Sequence, residues 1–205
     1  MIIHIVGPSG SGKSTLGKKL LKKYKNKVKV FDTDDLEKPH RIKLINKFKF
    51  EKKSDWTKYD KETAKLNKKI LEKIINKYED KIIIFVGFIH PGMDILTKKS
   101  NYTYMIEIDE LTLWNQYNLR TAELIHKYFN QIKKILSNKK MSGLKKHLLL
   151  MYKYDIRQGF DSPNNRVDEL KNVIKNGKMY AKRRKWFYGT VDKIVKDIHK
   201  QIKQL

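Results

Sequence analysis

A glycine-rich segment near the start of the chain has the residue types and spacing needed to hold a polyphosphate. Residues 7–14 match the pattern G-x-x-x-x-G-K-[ST] at every fixed position. Glycines let the backbone wrap around phosphate oxygens with its N–H groups pointing inward. The Lys13 ammonium can then reach the β- and γ-phosphates, and the Ser14 hydroxyl can ligate Mg²⁺. We therefore predict a site for ATP and Mg²⁺ formed by Gly7, Pro8, Ser9, Gly10, Ser11, Gly12, Lys13, Ser14 and Thr15.

A run of carboxylates follows the next apolar segment. Asp32, Asp34 and Asp35 stand at the carboxyl end of a predicted strand, which in an open parallel sheet faces the ligand crevice. A carboxylate there can accept the proton of an attacking hydroxyl or hold the water shell of the metal. We predict Asp34 as the base or metal-positioning group, with Asp32 assisting. The alternative is that Asp35 caps a helix and the other two lie in a solvated turn.

Arginines suited to the transferring phosphoryl group occur later in the chain. Arginine offers a rigid fork of N–H donors that can neutralise phosphate oxygens. Arg120 follows a predicted helix, while Arg157 and Arg166 flank a segment rich in Gly, Asp, Ser, Pro and Asn that predicts a mobile flap. We predict a catalytic role for Arg120 and substrate contacts for Arg157 and Arg166. The alternative for each is a surface arginine.

Alternating strands and helices must position these groups. Apolar runs typical of strands in a parallel sheet occur at residues 1–6, 28–32, 81–88 and 102–109. Helical periodicity occurs at residues 13–24, 58–78, 111–135 and 190–202. Strands that alternate with helices form right-handed βαβ units. The chain is therefore predicted to have an α/β fold, with helices on both faces of a parallel sheet.

Two segments lie outside this alternation. Residues 37–57 are polar and basic and contain Pro39, which favours an excursion over the acceptor site rather than a core helix. Residues 121–166 are long and strongly basic, and predict a helical insert that serves as a lid. A chain of 205 residues suits one core better than two, so we predict a single domain over residues 1–205.

Composition narrows the class of protein and its partners. The formal net charge of +25 attracts phosphate-rich partners, including nucleic acid, although Lys, Ile, Asn and Tyr are also the residues that an AT-rich genome encodes most readily. Cysteine is absent, which excludes disulfides and thiolate metal sites. The longest apolar run, residues 82–89, is far shorter than the ~20 residues that cross a bilayer. We therefore predict a cytoplasmic protein with no membrane partner.

Beyond its single motifs, the chain resembles the nucleoside monophosphate kinase group of P-loop kinases, with adenylate kinases and the related shikimate and gluconate kinases. Residues 33–36 (Thr-Asp-Asp-Leu) are similar to the T-G-D-L segment of adenylate kinases, and the acidic run is similar to the D-x-D of shikimate and gluconate kinases. Residues 85–91 resemble the D-G-F-P-R run, and Arg120 stands at the place of a phosphate-contacting arginine before the lid. The resemblance implies a three-layer α/β/α fold with five parallel strands, the last within residues 180–198, and a helical lid.

The chain also departs from this group. Val86 replaces the Walker B acid, and His90 stands where the family has an arginine that grips the acceptor phosphate. Shikimate-type kinases rely on the earlier acidic run instead, which implies Ser14, Asp34 and Asp32 for the metal. The resemblance thus implies an ATP- and Mg²⁺-dependent kinase. Its small acceptor, a nucleoside or nucleotide, would enter between the flap and Asp34, Asp35, Arg41 and His90.

Other interpretations stay open. The acceptor could be the end of a nucleic acid or a modified base, or ATP could switch a binding protein without phosphoryl transfer. Residues 180–187 interleave bases with aromatics, as nucleobase-stacking segments do, and resemble the Y-A-K-R-Q-x-T-W-F segment of tRNA dimethylallyltransferases with one residue fewer. That family's D-S-x-Q motif is missing here. The alternative for this run is an amphipathic segment that docks Trp186 and Phe187 on the core.

Overall fold

Five parallel strands form the centre of the fold. The computed structural model describes residues 1–48, 50, 53–154 and 163–204. The strands lie in the order β2-β3-β1-β4-β5, and every neighbouring pair is parallel. They are β1 (Ile2–Val6), β2 (Val28–Asp32), β3 (Ile82–Val86), β4 (Tyr102–Ile106) and β5 (Phe187–Gly189). The predicted parallel five-stranded sheet is confirmed, and it brings the carboxyl ends of β1, β2 and β3 together at one edge.

Helices cover both faces of the sheet. Their bounds are α1 (Lys13–Tyr24), α2 (Thr33–Ile45), α3 (Lys53–Lys77), α4 (Asp94–Lys99), α5 (Glu110–Ser137), α6 (Gly143–Tyr154), α7 (Pro163–Arg183) and α8 (Val191–Lys203). Leu16 of α1 and Ile198 of α8 are buried on one face, in a cluster with Ile3 and Ile84. Leu71 of α3 is buried on the other face. The strands are apolar on both faces because both are covered, which confirms the three-layer α/β/α fold.

The helix after β2 differs from the sequence prediction. We expected an excursion rather than a core helix from residue 37, yet α2 runs through Pro39 and buries Leu44 and Ile45 against Tyr59. Proline lacks the N–H that would bond to the carbonyl four residues earlier, which disfavours a helix interior. Burial of the apolar side chains near the end of α2 offsets this cost. Residues 49, 51 and 52 of the expected excursion lie outside the described residues.

The start of α2 corrects a second expectation. Its N-cap is Asp32, whose Oδ1 accepts a hydrogen bond from the backbone N–H of Asp34 at 3.0 Å. The capping role considered for Asp35 is therefore wrong. Since Asp32 is also the last residue of β2, the strand passes directly into the helix and carries its carboxylates at the edge of the sheet.

The described residues between β4 and β5 form three helices. α5 extends over most of the residues with helical periodicity, and α6 and α7 follow it. α7 begins at Pro163, so the last residues of the segment predicted to be a flap are helical. Residues 155–162 lie outside the described part of the chain. The lid function of this insert stays a prediction.

His4 gives the fold a measurable sensitivity to acid. It lies in the middle of β1, fully buried, and burial lowers its pKa from 6.5 to about 4. Between these two values the unfolded chain binds a proton that the folded chain does not, so stability falls as the pH drops through this window. We expect His4→Leu to remove about 3 kcal/mol of the acid-induced loss between pH 7 and pH 4. Urea unfolding at the two pH values, with the exposed His147→Leu as control, measures this difference; equal acid sensitivity in wild type and His4→Leu would contradict it.

Candidate active site

The loop between β1 and α1 forms a cradle for anions. Gly10 and Gly12 have φ angles of 83° and 86°, a backbone region that favours glycine. α1 begins at Lys13 directly after the loop, and the backbone N–H of Leu16 already bonds to the carbonyl of Gly12 at 2.8 Å. The first N–H groups of the helix and its positive dipole end therefore lie beside the loop.

Lys13 lies across this loop. Its side chain is largely buried, and Nζ donates a hydrogen bond to the Pro8 carbonyl at 2.9 Å. The ammonium also lies 5.2 Å from the centroid of the Phe88 ring, in the loop after β3. This position puts one cation between the glycine-rich loop and the carboxyl end of β3.

An open cleft adjoins the cradle. Its volume is about 630 Å³. The buried Ser11 hydroxyl, within the cradle, has no hydrogen-bond partner among the described residues, and phosphate oxygens would satisfy it. The cleft is lined by Gly10, Ser11, Gly12, Lys13, Ser14, Thr15, Leu16, Lys19, Asp32, Asp34, Asp35, Lys38, Gln116 and Val191. The residues present therefore fit a polyphosphate.

Ser14 and Asp32 meet at the edge of the sheet. The Ser14 hydroxyl donates to Asp32 Oδ2 at 2.6 Å. Asp32 lies beside Val86 in the β2–β3 register, so its carboxylate stands next to the strand position where the Walker B acid is missing. A hydroxyl and a carboxylate are ligands that suit Mg²⁺ when phosphate oxygens and water complete the shell. The geometry thus brings Ser14 to Asp32, whereas the sequence ranked Asp34 first for the metal.

Asp34 instead contacts His90. His90 Nε2 lies 2.7 Å from Asp34 Oδ1, and the Asp34 side chain is 54% exposed. The loop after β3 is held against α2 because the Thr33 hydroxyl donates to the Phe88 carbonyl at 3.0 Å. Gly87 has a φ of 134°, and a Cβ there would collide with the Thr33 hydroxyl. This close approach sets His90 beside the acidic run.

Arg41 lies one helical turn beyond Glu37, and the two side chains form an ion pair. Arg41 Nη1 is 3.2 Å from Glu37 Oε1, and Arg41 Nε donates to the Tyr59 hydroxyl at 2.8 Å. Glu37 is buried and also contacts His90 Nδ1 at 3.0 Å. Sequence reasoning missed Glu37, because a single Glu in a basic segment carries no signal of its own. His90 thus contacts Asp34 directly, whereas Arg41 is joined to it through Glu37 and His90.

A second pocket is lined in part by Gly7 and Pro8, the first residues of the loop. It has a volume of about 410 Å³, and Arg184 is the charged residue of its lining. The Arg184 guanidinium stacks on Trp186 at 5.2 Å and on Tyr180 at 5.8 Å, measured to the ring centroids. The lining consists of Val6, Gly7, Pro8, Phe88, Ile89, Met105, Val173, Asn176, Gly177, Tyr180, Arg184 and Trp186. We call this the aromatic pocket.

The structure describes some predicted groups only in part. Arg157 lies outside the described residues, as do the side chains of Arg120 and Arg166, whose backbones belong to α5 and α7.

Trp186 packs against the buried cluster of Val6 and Met105, as expected for a docked segment. Phe187 is 40% exposed, so it is docked less completely than expected. No helix in the described part of the chain is long and apolar enough to cross a membrane.

Comparisons with known proteins agree with this architecture. No family model and no curated protein sequence matches the chain. Among solved structures, shikimate kinase from Acinetobacter baumannii in complex with shikimate is 12% identical, with a TM-score of 0.52 over 99% of this chain and 93% of that one. Shikimate kinase from Bacteroides thetaiotaomicron is also 12% identical, with a TM-score of 0.51 over 99% and 98% of the two chains. The chain therefore has the P-loop kinase fold that its resemblance to this group predicted.

Proposed function

We propose that the protein is a kinase that transfers the γ-phosphate of ATP to a nucleoside or nucleotide. The observation that carries this proposal is the convergence at one sheet edge of the phosphate cradle, the Ser14–Asp32 contact and the Asp34 carboxylate. Phosphoryl transfer requires mainly positioning and neutralisation of charge, and these groups supply both. Similarity to shikimate kinases supports the fold and leaves the acceptor to be inferred from the site itself.

The cradle and its neighbours suit ATP with Mg²⁺. Backbone N–H groups of the loop would bind the phosphates, the Ser11 hydroxyl would donate to a phosphate oxygen, and Lys13 would neutralise the γ-phosphate. Ser14 and Asp32 would hold Mg²⁺, which when bound neutralises the phosphate oxygens. Asp34 lines the same cleft and its side chain is 54% exposed, so it would be accessible to an incoming acceptor.

Asp34 would act as the base toward an acceptor hydroxyl. The acceptor oxygen forms its bond to the γ-phosphorus as the bond to the bridging oxygen breaks, and the hydroxyl proton passes to the Asp34 carboxylate. The products are ADP and the phosphorylated acceptor. Lys13 is suited to neutralise the charge that develops, since its ammonium already lies between the loop and Phe88.

The aromatic pocket supports a nucleoside acceptor. Phe88 and Tyr180 are 41% and 48% exposed, so part of each ring can contact a base, although Lys13 lies near the Phe88 ring and Arg184 lies over the Tyr180 ring. Pro8 and Phe88 line this pocket and both contact Lys13, so an acceptor bound there would lie near the γ-phosphate. A flat base suits this lining better than an acidic polyhydroxy compound, which would need several cationic partners.

Tyr180→Ala tests this pocket. We expect the KM for the acceptor to rise roughly 5- to 150-fold, because stacking of one base on an aromatic ring contributes about 1–3 kcal/mol. Affinity for ATP should not change, since the cleft beside the cradle does not include Tyr180. Phe187→Ala is the matched control, because Phe187 is similarly exposed and lies outside the pocket. Equal KM effects of the two variants would contradict a stacking role for Tyr180.

The activity itself is tested with γ-³²P-labelled ATP and a panel of acceptors. The panel contains the common ribonucleosides and deoxyribonucleosides, their monophosphates, and oligonucleotides with a free 5′-hydroxyl. Label on a nucleoside or monophosphate supports the proposal. Label on the oligonucleotides supports the second candidate, a polynucleotide kinase, which the net charge of +25 and the stacked Arg184 favour. Tight ATP binding without transfer to any acceptor would mean that the protein is an ATP-dependent binding protein instead.

A further inference from the structure

Glu37 is a buried carboxylate to which the proposed reaction assigns no direct role. It is 1% exposed, and side chains from three segments surround it. Arg41 Nη1 lies 3.2 Å and Asn67 Nδ2 3.3 Å from Oε1, and His90 Nδ1 lies 3.0 Å from Oε2. A buried carboxylate is costly unless its oxygens are paired, so these contacts fix Glu37 in one place.

His90 lies between two carboxylates. Its Nε2 contacts Asp34 Oδ1 at 2.7 Å, and its Nδ1 contacts Glu37 Oε2 at 3.0 Å. Two ionised carboxylates can only accept, so both contacts are hydrogen bonds only when the ring carries two N–H groups or one carboxyl carries a proton. In either arrangement His90, Asp34 and Glu37 together carry one proton more than a neutral imidazole and two ionised carboxylates would. The three side chains therefore form one hydrogen-bonded unit that ends at the exposed Asp34.

α3 holds the loop that carries His90. Asn67 Nδ2 donates to the Pro91 carbonyl at 2.8 Å, and Asn67 Oδ1 lies 2.7 Å from His40 Nε2 of α2. Asn67 is fully buried, so α2, α3 and this loop are joined at a single side chain. Among the described residues, His90 forms ion pairs with Asp34 and Glu37 of α2, while Arg41 contacts Glu37 and His40 contacts Asn67.

We propose that Glu37 is a positioning residue for phosphoryl transfer. It acts through His90: the Glu37 carboxylate fixes the ring, and the ring fixes Oδ1 of Asp34, so that the Asp34 carboxylate meets the acceptor hydroxyl in one orientation. Arg41 neutralises the charge of Glu37, which keeps this carboxylate tolerable in the interior. This inference rests on the proposed function, because it requires Asp34 to be the base.

A double-mutant cycle tests the proposal with the acceptor that wild type labels in the panel above. We expect Glu37→Gln to lower kcat about tenfold, which corresponds to about 1.4 kcal/mol, while KM for ATP stays within about twofold. Glu37→Gln should have no further effect on kcat in an Asp34→Asn background, because Glu37 acts only through that carboxylate. Glu62→Gln, on the exposed face of α3, is the control that should leave kcat unchanged.

A second variant keeps the test valid where Glu37→Gln unfolds the protein. His90→Gln retains a donor toward Asp34 and loses the contact with Glu37, so it should lower kcat to a similar extent. Thermal melts report whether each variant is folded. Losses of kcat that multiply in the double variant would overturn the role of Glu37 and leave the proposed function standing. No transfer by wild type to any acceptor would overturn the proposed function, and the role of Glu37 with it.

Discussion

Lys13→Ala is expected to lower kcat for phosphoryl transfer by at least about 1,000-fold, with little change in thermal stability. Removal of one preorganised donor to a developing negative charge costs on the order of 10²–10³ in rate, and a full positive charge at the γ-phosphate contributes more. The fold should persist because Lys13 belongs to the first turn of α1, where alanine is a good helix former. The hydrogen bond that the substitution removes, to the Pro8 carbonyl, lies within the loop.

The measurement is transfer of label from ATP, with a thermal melt of each variant. Lys18→Ala is the matched control, because Lys18 lies on the same helix, is exposed and does not line the cleft. We expect Lys18→Ala to resemble wild type. A Lys13→Ala enzyme that retains more than a tenth of the wild-type kcat would mean that the loop does not bind a transferring phosphate.

Most of the sheet could be predicted from local sequence. The opening strand and the third strand, residues 82–86, are apolar at nearly every position, because helices cover both of their faces. The three residues of β5, Phe187–Gly189, are too short for a periodic signal, and only the family resemblance implied a closing strand. The sequence did not predict α2 as a core helix because Pro39 disfavours a helix interior. The helix forms because Leu44 and Ile45 are buried in the folded protein, which local sequence does not show.

The candidate site also has one part that local sequence predicts and one part that depends on the tertiary fold. The glycine-rich loop is a contiguous pattern whose backbone requirements can be read from the residues, so its nine positions could be predicted together. The Ser14–Asp32 contact depends on the register of β2 against β3, which local sequence does not encode. The role of Glu37 depends on His90, which lies in the loop after β3 and is distant from Glu37 along the chain. Groups that act through such contacts become visible only when the fold places them side by side.

Asp34→Asn should lower kcat by about 10²–10⁴-fold and leave ATP affinity within about threefold of wild type. A positioned general base contributes on this scale, and asparagine cannot accept the acceptor proton. The substitution should spare the fold, because the cap of α2 uses the side chain of Asp32 and only the backbone N–H of Asp34. Its side-chain oxygen can still accept a hydrogen bond from His90.

Single-turnover transfer and calorimetric titration with ATP and Mg²⁺ separate these two effects. Asp32→Asn is the informative comparison, because Asp32 contacts Ser14 and should raise the Mg²⁺ concentration needed for half-maximal activity. Asp60→Asn, exposed on α3, controls for the loss of one negative charge from a very basic protein. An Asp34→Asn enzyme with unchanged kcat would remove Asp34 from the mechanism, and a loss confined to ATP affinity would move it to the metal. The exposed position of Asp34 beside His90, rather than beside Ser14, favours the first role over the second.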